Sequence, residues 1–100
     1  MIDIGRNSKG HLYQLDNFNG ADHPQTLQFI EKDAAGNTLN DGTTNEEVLL
    51  MLADRLKVLG ERLPSRENSI AVTKVEEALL WLNKRTADRV LRGVEGTMKA

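Results

Sequence analysis

Residues 65–92, which read SRENSIAVTKVEEALLWLNKRTADRVLR, decide the fold of this chain. Positions spaced alternately by four and three residues form one helical seam here: Ala71, Val75, Ala78, Leu82, Arg85, Arg89 and Arg92. Such spacing is typical of a helix that packs lengthwise against partners. The first four positions can be buried, whereas the last three carry guanidinium groups that stay charged and need anionic or aromatic neighbours. The stretch therefore predicts a long helix in an oligomer that gathers positive charge around something negative.

A second helix is predicted upstream, over residues 44–60. Thr44 and Glu47 form a capping box at its start, and the helix dipole favours the acidic first turn. An apolar stripe follows, made of Val48, Leu49, Leu52, Leu56, Leu59 and Leu63. Gly60 is expected to loosen the end of this helix, and Pro64 to stop it.

The two helices are predicted to form a hairpin. Ser65 can cap the second helix, which is predicted over residues 66–92, and the connection is only a few residues long. The helices should therefore be antiparallel, and the second, about 40 Å long, should reach past the first and pack on another subunit. Two short strands are predicted before the hairpin, His11–Leu15 and Thr26–Glu31, among many turn-forming residues. The predicted fold class is α+β, mainly α.

The composition fits one small domain with an aliphatic core. The chain has 100 residues, of which 39% are hydrophobic and 4% aromatic. We expect a single domain, residues 1–100, in which a strand and loop segment (1–43) precedes the hairpin and a short tail (44–100). The absence of cysteine excludes disulfide scaffolds and thiolate metal sites. No apolar run approaches the ~20 residues of a spanning helix, and charged residues interrupt the start of the chain, so we expect a cytoplasmic protein without a membrane partner.

The charge distribution points to a small anion. The formal charge of −2 argues against a general binder of duplex DNA, whose affinity rests on a basic surface. From Lys84 onward, however, five basic and two acidic residues give +3, while the preceding residues carry −5. One end of an otherwise acidic protein should therefore attract a small negatively charged ligand.

Residues 65–82, SRENSIAVTKVEEALLWL, resemble the helical hairpin shared by two groups of phage immune-evasion proteins, the anti-CBASS sponges and the Thoeris anti-defence sponges. The matching parts are the Arg-Glu-Asn start, the Thr-Lys-Val-Glu-Glu-Ala centre and the Leu-Trp-Leu end. Residues 42–47 and 84–97 extend the resemblance, which covers roughly the last 60 residues.

The resemblance implies a non-enzymatic protein that assembles, commonly as a homohexamer, and sequesters nucleotide messengers of bacterial defence systems in the host bacterial cytoplasm. Ligands in the family are cyclic di- and trinucleotides and cyclic ADP-ribose isomers, and no cofactor is implied. Family sites draw on the start of the long helix and on arginines near its distal end, often from neighbouring subunits. In this sequence those residues map to Arg66 and Asn68, and to Arg85 and Arg89, with Arg92 one turn further on.

Other interpretations remain open for these residues. The three distal arginines also suit a solvated helix end, where cations favour the helix dipole, and Arg66 also suits a solvated first turn. A structural phage oligomer without a nucleotide ligand is the alternative function, and a nucleic-acid-binding regulator is disfavoured by the net charge.

The remaining residues give little sign of metal binding or catalysis. Three potential metal ligands have spacings that fit no helical or hairpin chelate: His11, Asp22 and His23. We expect no metal site, and we expect no enzyme because no nucleophile–base pair or phosphate-binding loop is evident. The aromatic residues are interpreted as core or lid residues, although one could stack on a base, and Trp81 as an anchor between helices. These aromatic core or lid candidates are Tyr13, Phe18 and Phe29.

Overall fold

The computed structural model describes residues 3–4, 10–20 and 23–93, so that Asp22 and the end of the predicted tail lie outside the described residues. Five short strands precede two helices: β1 (Asp3–Ile4), β2 (Leu12–Leu15), β3 (Gln25–Gln28), β4 (Glu31–Lys32) and β5 (Thr38–Asn40). The first three form an antiparallel sheet in the order β1-β2-β3, and β4 pairs with β5 in an antiparallel ribbon. The architecture confirms the predicted α+β, mainly α fold class.

The second predicted strand, Thr26–Glu31, is interrupted after Gln28, because the residues that follow pair with a different segment of the chain. After Gln28 the chain forms a parallel bridge between Phe29 and Thr43. The N–H of Phe29 donates to the carbonyl of His11 at 2.7 Å, and that of Ile30 donates to the carbonyl of Thr43 at 2.9 Å. These bonds fasten the end of the sheet to the segment that leads into the first helix.

Helix α1 spans Asn45–Arg62 and begins as predicted. The Thr44 hydroxyl accepts a hydrogen bond from the Glu47 N–H at 3.2 Å, which satisfies one of the free donors of the first turn. The helix continues through Gly60 for two residues and ends before Pro64. Gly60 therefore lies inside the helix, contrary to the prediction that it loosens the end.

Helix α2 spans Arg66–Leu91, and the Ser65 hydroxyl caps it by accepting from the Asn68 N–H at 3.0 Å. Its 26 residues extend about 39 Å, and α1 is shorter by about 12 Å. An ion pair between Lys57 and Glu76, with 2.8 Å between Nζ and Oε2, bridges the two antiparallel helices along one side of the hairpin. Towards the distal end of α2, Arg85 and Thr86 line a cavity together with residues of the strand segment. Val90 and Leu91, which follow, are 58% and 86% exposed, and the contact of this end with another subunit stays a prediction.

The seam that faces α1 is displaced from the predicted one. The half-buried or buried positions of α2 that recur at alternating spacings of four and three residues are Asn68, Val72, Val75, Leu79, Leu82, Thr86 and Arg89. Of the predicted seam, Val75, Leu82 and Arg89 belong to both seams, Ala78 is half-buried beside the observed one, and Ala71, Arg85 and Arg92 are exposed. On α1 the half-buried or buried positions at the same alternating spacing are Glu46, Leu49, Ala53, Leu56 and Gly60. Small residues at this contact let the two backbones approach closely.

Little of the described chain is fully buried. Among the described apolar residues only Ala53, which is 4% exposed, is buried. The Cα atoms of the protein span only 16 Å in the thinnest direction. Trp81 is 70% exposed, so the prediction that it anchors the two helices is wrong. Neither helix has an apolar stretch that is long enough to span a bilayer within the described residues.

One side of the hairpin carries an apolar surface, which we call the apolar flank: Leu52 and Leu59 of α1, Leu63 directly after α1, and Ala71 and Ala78 of α2. Helical periodicity places the four helical residues on the side opposite the Lys57–Glu76 ion pair. Leu52 and Leu59 are 37% and 38% exposed, and Leu63 is 80% exposed. The flank continues into Arg85 and Arg92, because Ala71, Ala78, Arg85 and Arg92 recur every seven residues.

Candidate functional site

Arg66 and Asn68, predicted as ligand-binding residues, lie at the corner where α1 turns into α2. They line an open groove of about 590 Å³ together with Lys57, Gly60, Glu61, Pro64, Ser65, Ser69 and Val72. The Glu76 carboxylate accepts a hydrogen bond from Lys57 and holds the pKa of this lysine above its ordinary value. None of the described acidic residues forms an ion pair with Arg66. Arg66 is thus the groove cation that is open to a ligand.

Asn68 has a structural task at this corner. Its side-chain Nδ2 donates to the carbonyl of Leu56 at 2.9 Å, across the helix–helix contact. A Cβ atom added to Gly60 would lie 2.7 Å from the same Nδ2, which is closer than a methyl group and an amide can approach. The absence of a side chain at Gly60 therefore makes room for the amide of Asn68.

Arg85 lies at the other end of the hairpin, in a cavity of about 330 Å³ between the strand segment and both helices. The other lining residues are Gly10, His11, Phe29, Ile30, Thr43, Thr44, Asn45, Glu46 and Thr86. Among the described residues no carboxylate forms an ion pair with Arg85, which is exposed. The cavity thus combines a guanidinium group with the start of α1, where backbone N–H groups favour anions.

Gly42 precedes Thr43, a lining residue of this cavity, and lies close against the end of β3. The Thr43 N–H donates to the carbonyl of Gln28 at 2.9 Å, which draws the chain tightly against the end of β3. A Cβ atom on Gly42 would lie 2.5 Å from the Gln28 oxygen and 2.6 Å from the carbonyl carbon of Phe29. Because both neighbours are backbone atoms, they cannot turn aside as a side chain can.

The three distal arginines occupy three different environments. Arg85 is exposed at the cavity, and Arg92 is exposed just beyond α2, where its N–H donates to the Asp88 carbonyl at 3.1 Å. Arg89 is 7% exposed and interacts with another group of the protein, as a buried charge requires. Arg89 is therefore part of the packed seam, which the sequence pattern did not distinguish from the exposed positions beside it.

One chain does not bring both predicted groups of residues together. Arg66 and Arg85 are separated by 19 residues of continuous helix, or about 28 Å. A small ligand therefore contacts only one group within one chain. The sequence did not predict that residues 43–46 line a cavity. The capping box at Thr44 was the only signal there, and it was used to locate the start of α1.

Comparison with known proteins agrees with this architecture. The sequence model of the family described as "Acb2/Tad1, hairpin domain" matches residues 19–87, a span that includes Arg66, Asn68 and Arg85. The chain is also 52% identical over 58 residues to Thoeris anti-defense 1 of Bacillus phage SBSphiJ7. That alignment covers 57% of this chain and 41% of the relative, so the chain spans about two-fifths of the length of this curated relative. With more than half of its residues matched by the family model, this protein belongs to the Acb2/Tad1 hairpin-domain family.

Proposed function

We propose that this protein is a non-enzymatic phage anti-defence protein that sequesters a nucleotide messenger in the cytoplasm of the host bacterium. The messenger class is a cyclic di- or trinucleotide or a cyclic ADP-ribose isomer. The observation that carries the proposal is the family match together with 52% identity to a protein named for anti-defence against Thoeris. Arg66 and Arg85, which form no ion pairs with described residues, supply the positive charge that such a messenger needs.

The separation of the two arginine groups favours sites formed between subunits. Ala78 lies midway between Ala71 and Arg85, so two α2 helices that cross antiparallel at Ala78 would set Ala71 of one copy opposite Arg85 of the other. In the same arrangement Arg66 lies opposite the turn that precedes Arg92 of the second copy. Pairing through the apolar flank therefore joins the two groups, which are about 28 Å apart in one chain. Each charge-assisted hydrogen bond from these arginines to a phosphate contributes about 1.5–3 kcal/mol.

A structural oligomer without a ligand is the second candidate, and the exposed apolar flank favours it. Such a flank is reason enough for copies to associate, whether or not a messenger is bound. The two functions differ in one respect that can be measured, because only the first requires the arginines to bind an anion. Both are compatible with a hexamer.

Native mass spectrometry tests the proposal and its alternative together. The protein is mixed with cyclic dinucleotides, cyclic trinucleotides and cyclic ADP-ribose isomers, and the masses report assembly and cargo. We expect a homo-oligomer, a hexamer in our proposal, that retains one class of messenger. Heating the complex should release the messenger chemically unaltered, whereas an altered mass would show an enzyme. An oligomer that retains none of the messengers would support the structural alternative.

A charge-reversal pair tests the assigned residues. Arg85→Glu with Arg92→Glu should abolish the increase in melting temperature that the bound messenger produces, while the oligomer stays intact. Arg89 is unsuitable for this variant, because a reversed charge at a buried position costs roughly 3–5 kcal/mol of folding stability. Lys84→Glu, a single reversal, is the control, since Lys84 is exposed on α2, lies outside the apolar flank by helical periodicity and is not among the assigned residues. Unchanged messenger binding by the double variant would show that these arginines do not form the site.

A further inference from the structure

A second cavity adjoins the one that contains Arg85. It measures about 350 Å³ and is lined by Gly10, Tyr13, Leu15, Leu27, Phe29, Asn45 and Val48. Gly10, Phe29 and Asn45 line both cavities, so the two cavities are adjacent, and we call the pair the combined site. One half of this combined site has apolar and aromatic walls, whereas the other half contains Arg85.

The aromatic walls are held in place by backbone pairing. Tyr13 pairs with Leu27 in the sheet, and the Phe29 N–H donates to the carbonyl of His11 at 2.7 Å. The two rings meet edge to face, with centroids 5.8 Å apart and an interplanar angle of 89°. Both residues are only half-buried, so the pair leaves aromatic surface available to a ligand.

Asn45 adds a polar group at the boundary between the two halves. It is the first residue of α1, it is exposed, and its side-chain amide forms no hydrogen bond with other described residues. An amide offers both a donor and an acceptor, which is the combination that the edge of a nucleobase requires. Glu46 also lines the charged half, so this half suits a single phosphate beside Arg85 better than a cluster of phosphates.

We infer that the combined site binds one nucleotide unit, with the base against Tyr13 and Phe29, the base edge at Asn45 and the phosphate at Arg85. The inference rests on the proposed function, since it names how one unit of the messenger is held within a single chain. Each half exceeds about 300 Å³, the lower end of the range for small-molecule sites. It also gives Tyr13 and Phe29 a role that sequence reasoning considered but did not favour.

Three variants test the inference against the messenger that native mass spectrometry identifies. Tyr13→Leu and Asn45→Ala should each weaken binding about ten-fold or more in isothermal titration, because stacking or a hydrogen bond to the base is lost. Tyr13→Phe keeps the ring and is the matched control, which should bind within about two-fold of the parent. If Tyr13→Leu and Asn45→Ala bind like the parent while the Arg85→Glu, Arg92→Glu variant does not, the proposed function stands and this inference is overturned.

A second measurement covers the case in which no messenger binds the parent protein. Titration with AMP and GMP is followed by NMR, through the ring signals of Tyr13 and Phe29 and the side-chain amide signal of Asn45, with ribose 5-phosphate as the probe that lacks a base. Saturable shifts of all three groups by a mononucleotide, but not by ribose 5-phosphate, would support the inference although the proposed function had failed. Absence of these shifts would overturn it. Circular dichroism of each variant verifies that the fold is retained.

Discussion

Gly60 and Asn68 are expected to be energetically coupled, and a double-mutant cycle measures that coupling. A Cβ atom on Gly60 would lie 2.7 Å from the Asn68 Nδ2, whereas non-bonded heavy atoms attract best at roughly 3.5–4.0 Å. Gly60→Ala must therefore displace the amide and break its 2.9 Å hydrogen bond to the Leu56 carbonyl. That loss costs about 0.5–1.5 kcal/mol, while alanine in place of glycine inside a helix stabilises by about 1 kcal/mol.

These two effects nearly cancel in the single variant. We expect Gly60→Ala to lie within about 0.5 kcal/mol of the parent in free energy of unfolding, and Asn68→Ala to cost about 1 kcal/mol. When Asn68 is already alanine, no amide is left to displace, and Gly60→Ala should then stabilise by about 1 kcal/mol. The interaction free energy between the two positions should therefore be about 1 kcal/mol.

Urea denaturation of the four proteins at one fixed concentration gives the cycle, because any assembly makes stability depend on concentration. Asn83→Ala is the control, since Asn83 is exposed on the same helix and makes no hydrogen bond through its side chain with described residues. An interaction free energy below about 0.3 kcal/mol, the usual error of additivity, would refute the close contact between Gly60 and Asn68.

Three further predictions concern Gly42 beside the Arg85 cavity, the strand ribbon and the apolar flank. Gly42→Ala should cost about 1–3 kcal/mol in urea denaturation, because its Cβ would overlap the backbone at Gln28; an unchanged midpoint would contradict that overlap. Hydrogen bonds, chiefly from the Asn37 N–H, lower the pKa of Asp33 from its usual 3.8, so its stabilising effect exists above that pH and is lost as the pH falls below it. Asp33→Asn should therefore lower the melting temperature at neutral pH and reduce its fall in acid; identical curves for both proteins would reject this role. Leu59→Lys should dissociate the proposed oligomer, as measured by size-exclusion chromatography with light scattering. The control Val58→Lys should leave it intact, because Val58 is similarly exposed, at 40%, but lies on another face of α1. An intact Leu59→Lys oligomer would exclude the flank as the interface.

Local signals predicted the hairpin well. Thr44, Ser65 and Pro64 act through hydrogen bonds and ring geometry within a few residues, so the sequence alone predicts where both helices begin and stops the first one within two residues of its observed end. The strands were located only in part. β3 ends before Phe29, whose N–H donates to the carbonyl of His11 and which forms a bridge with Thr43. Both partners are distant in sequence, and no local pattern connects them to Phe29.

The seam shows why the candidate site was harder to predict. Around the circumference of α2, Val75 and Leu82 have apolar residues on both sides. Ala71 and Ala78 lie on one side, and Val72 and Leu79 lie on the other. Periodicity fits either set, and the choice depends on which side α1 covers, which is a tertiary property. The same ambiguity placed Arg89 with the exposed arginines. The Arg85 cavity was not predicted because residues from four separate segments line it.

The thin interior of this protein has a consequence for its folding. A slab 16 Å across in its Cα atoms, with Ala53 as its most shielded apolar residue in the described range, holds little hydrophobic free energy in reserve. A bound subunit or ligand that covers the surface of such a slab therefore adds to the free energy of unfolding. Dilution should therefore lower its melting temperature, and capture of a ligand should raise it by more than is usual for a protein with a thick interior.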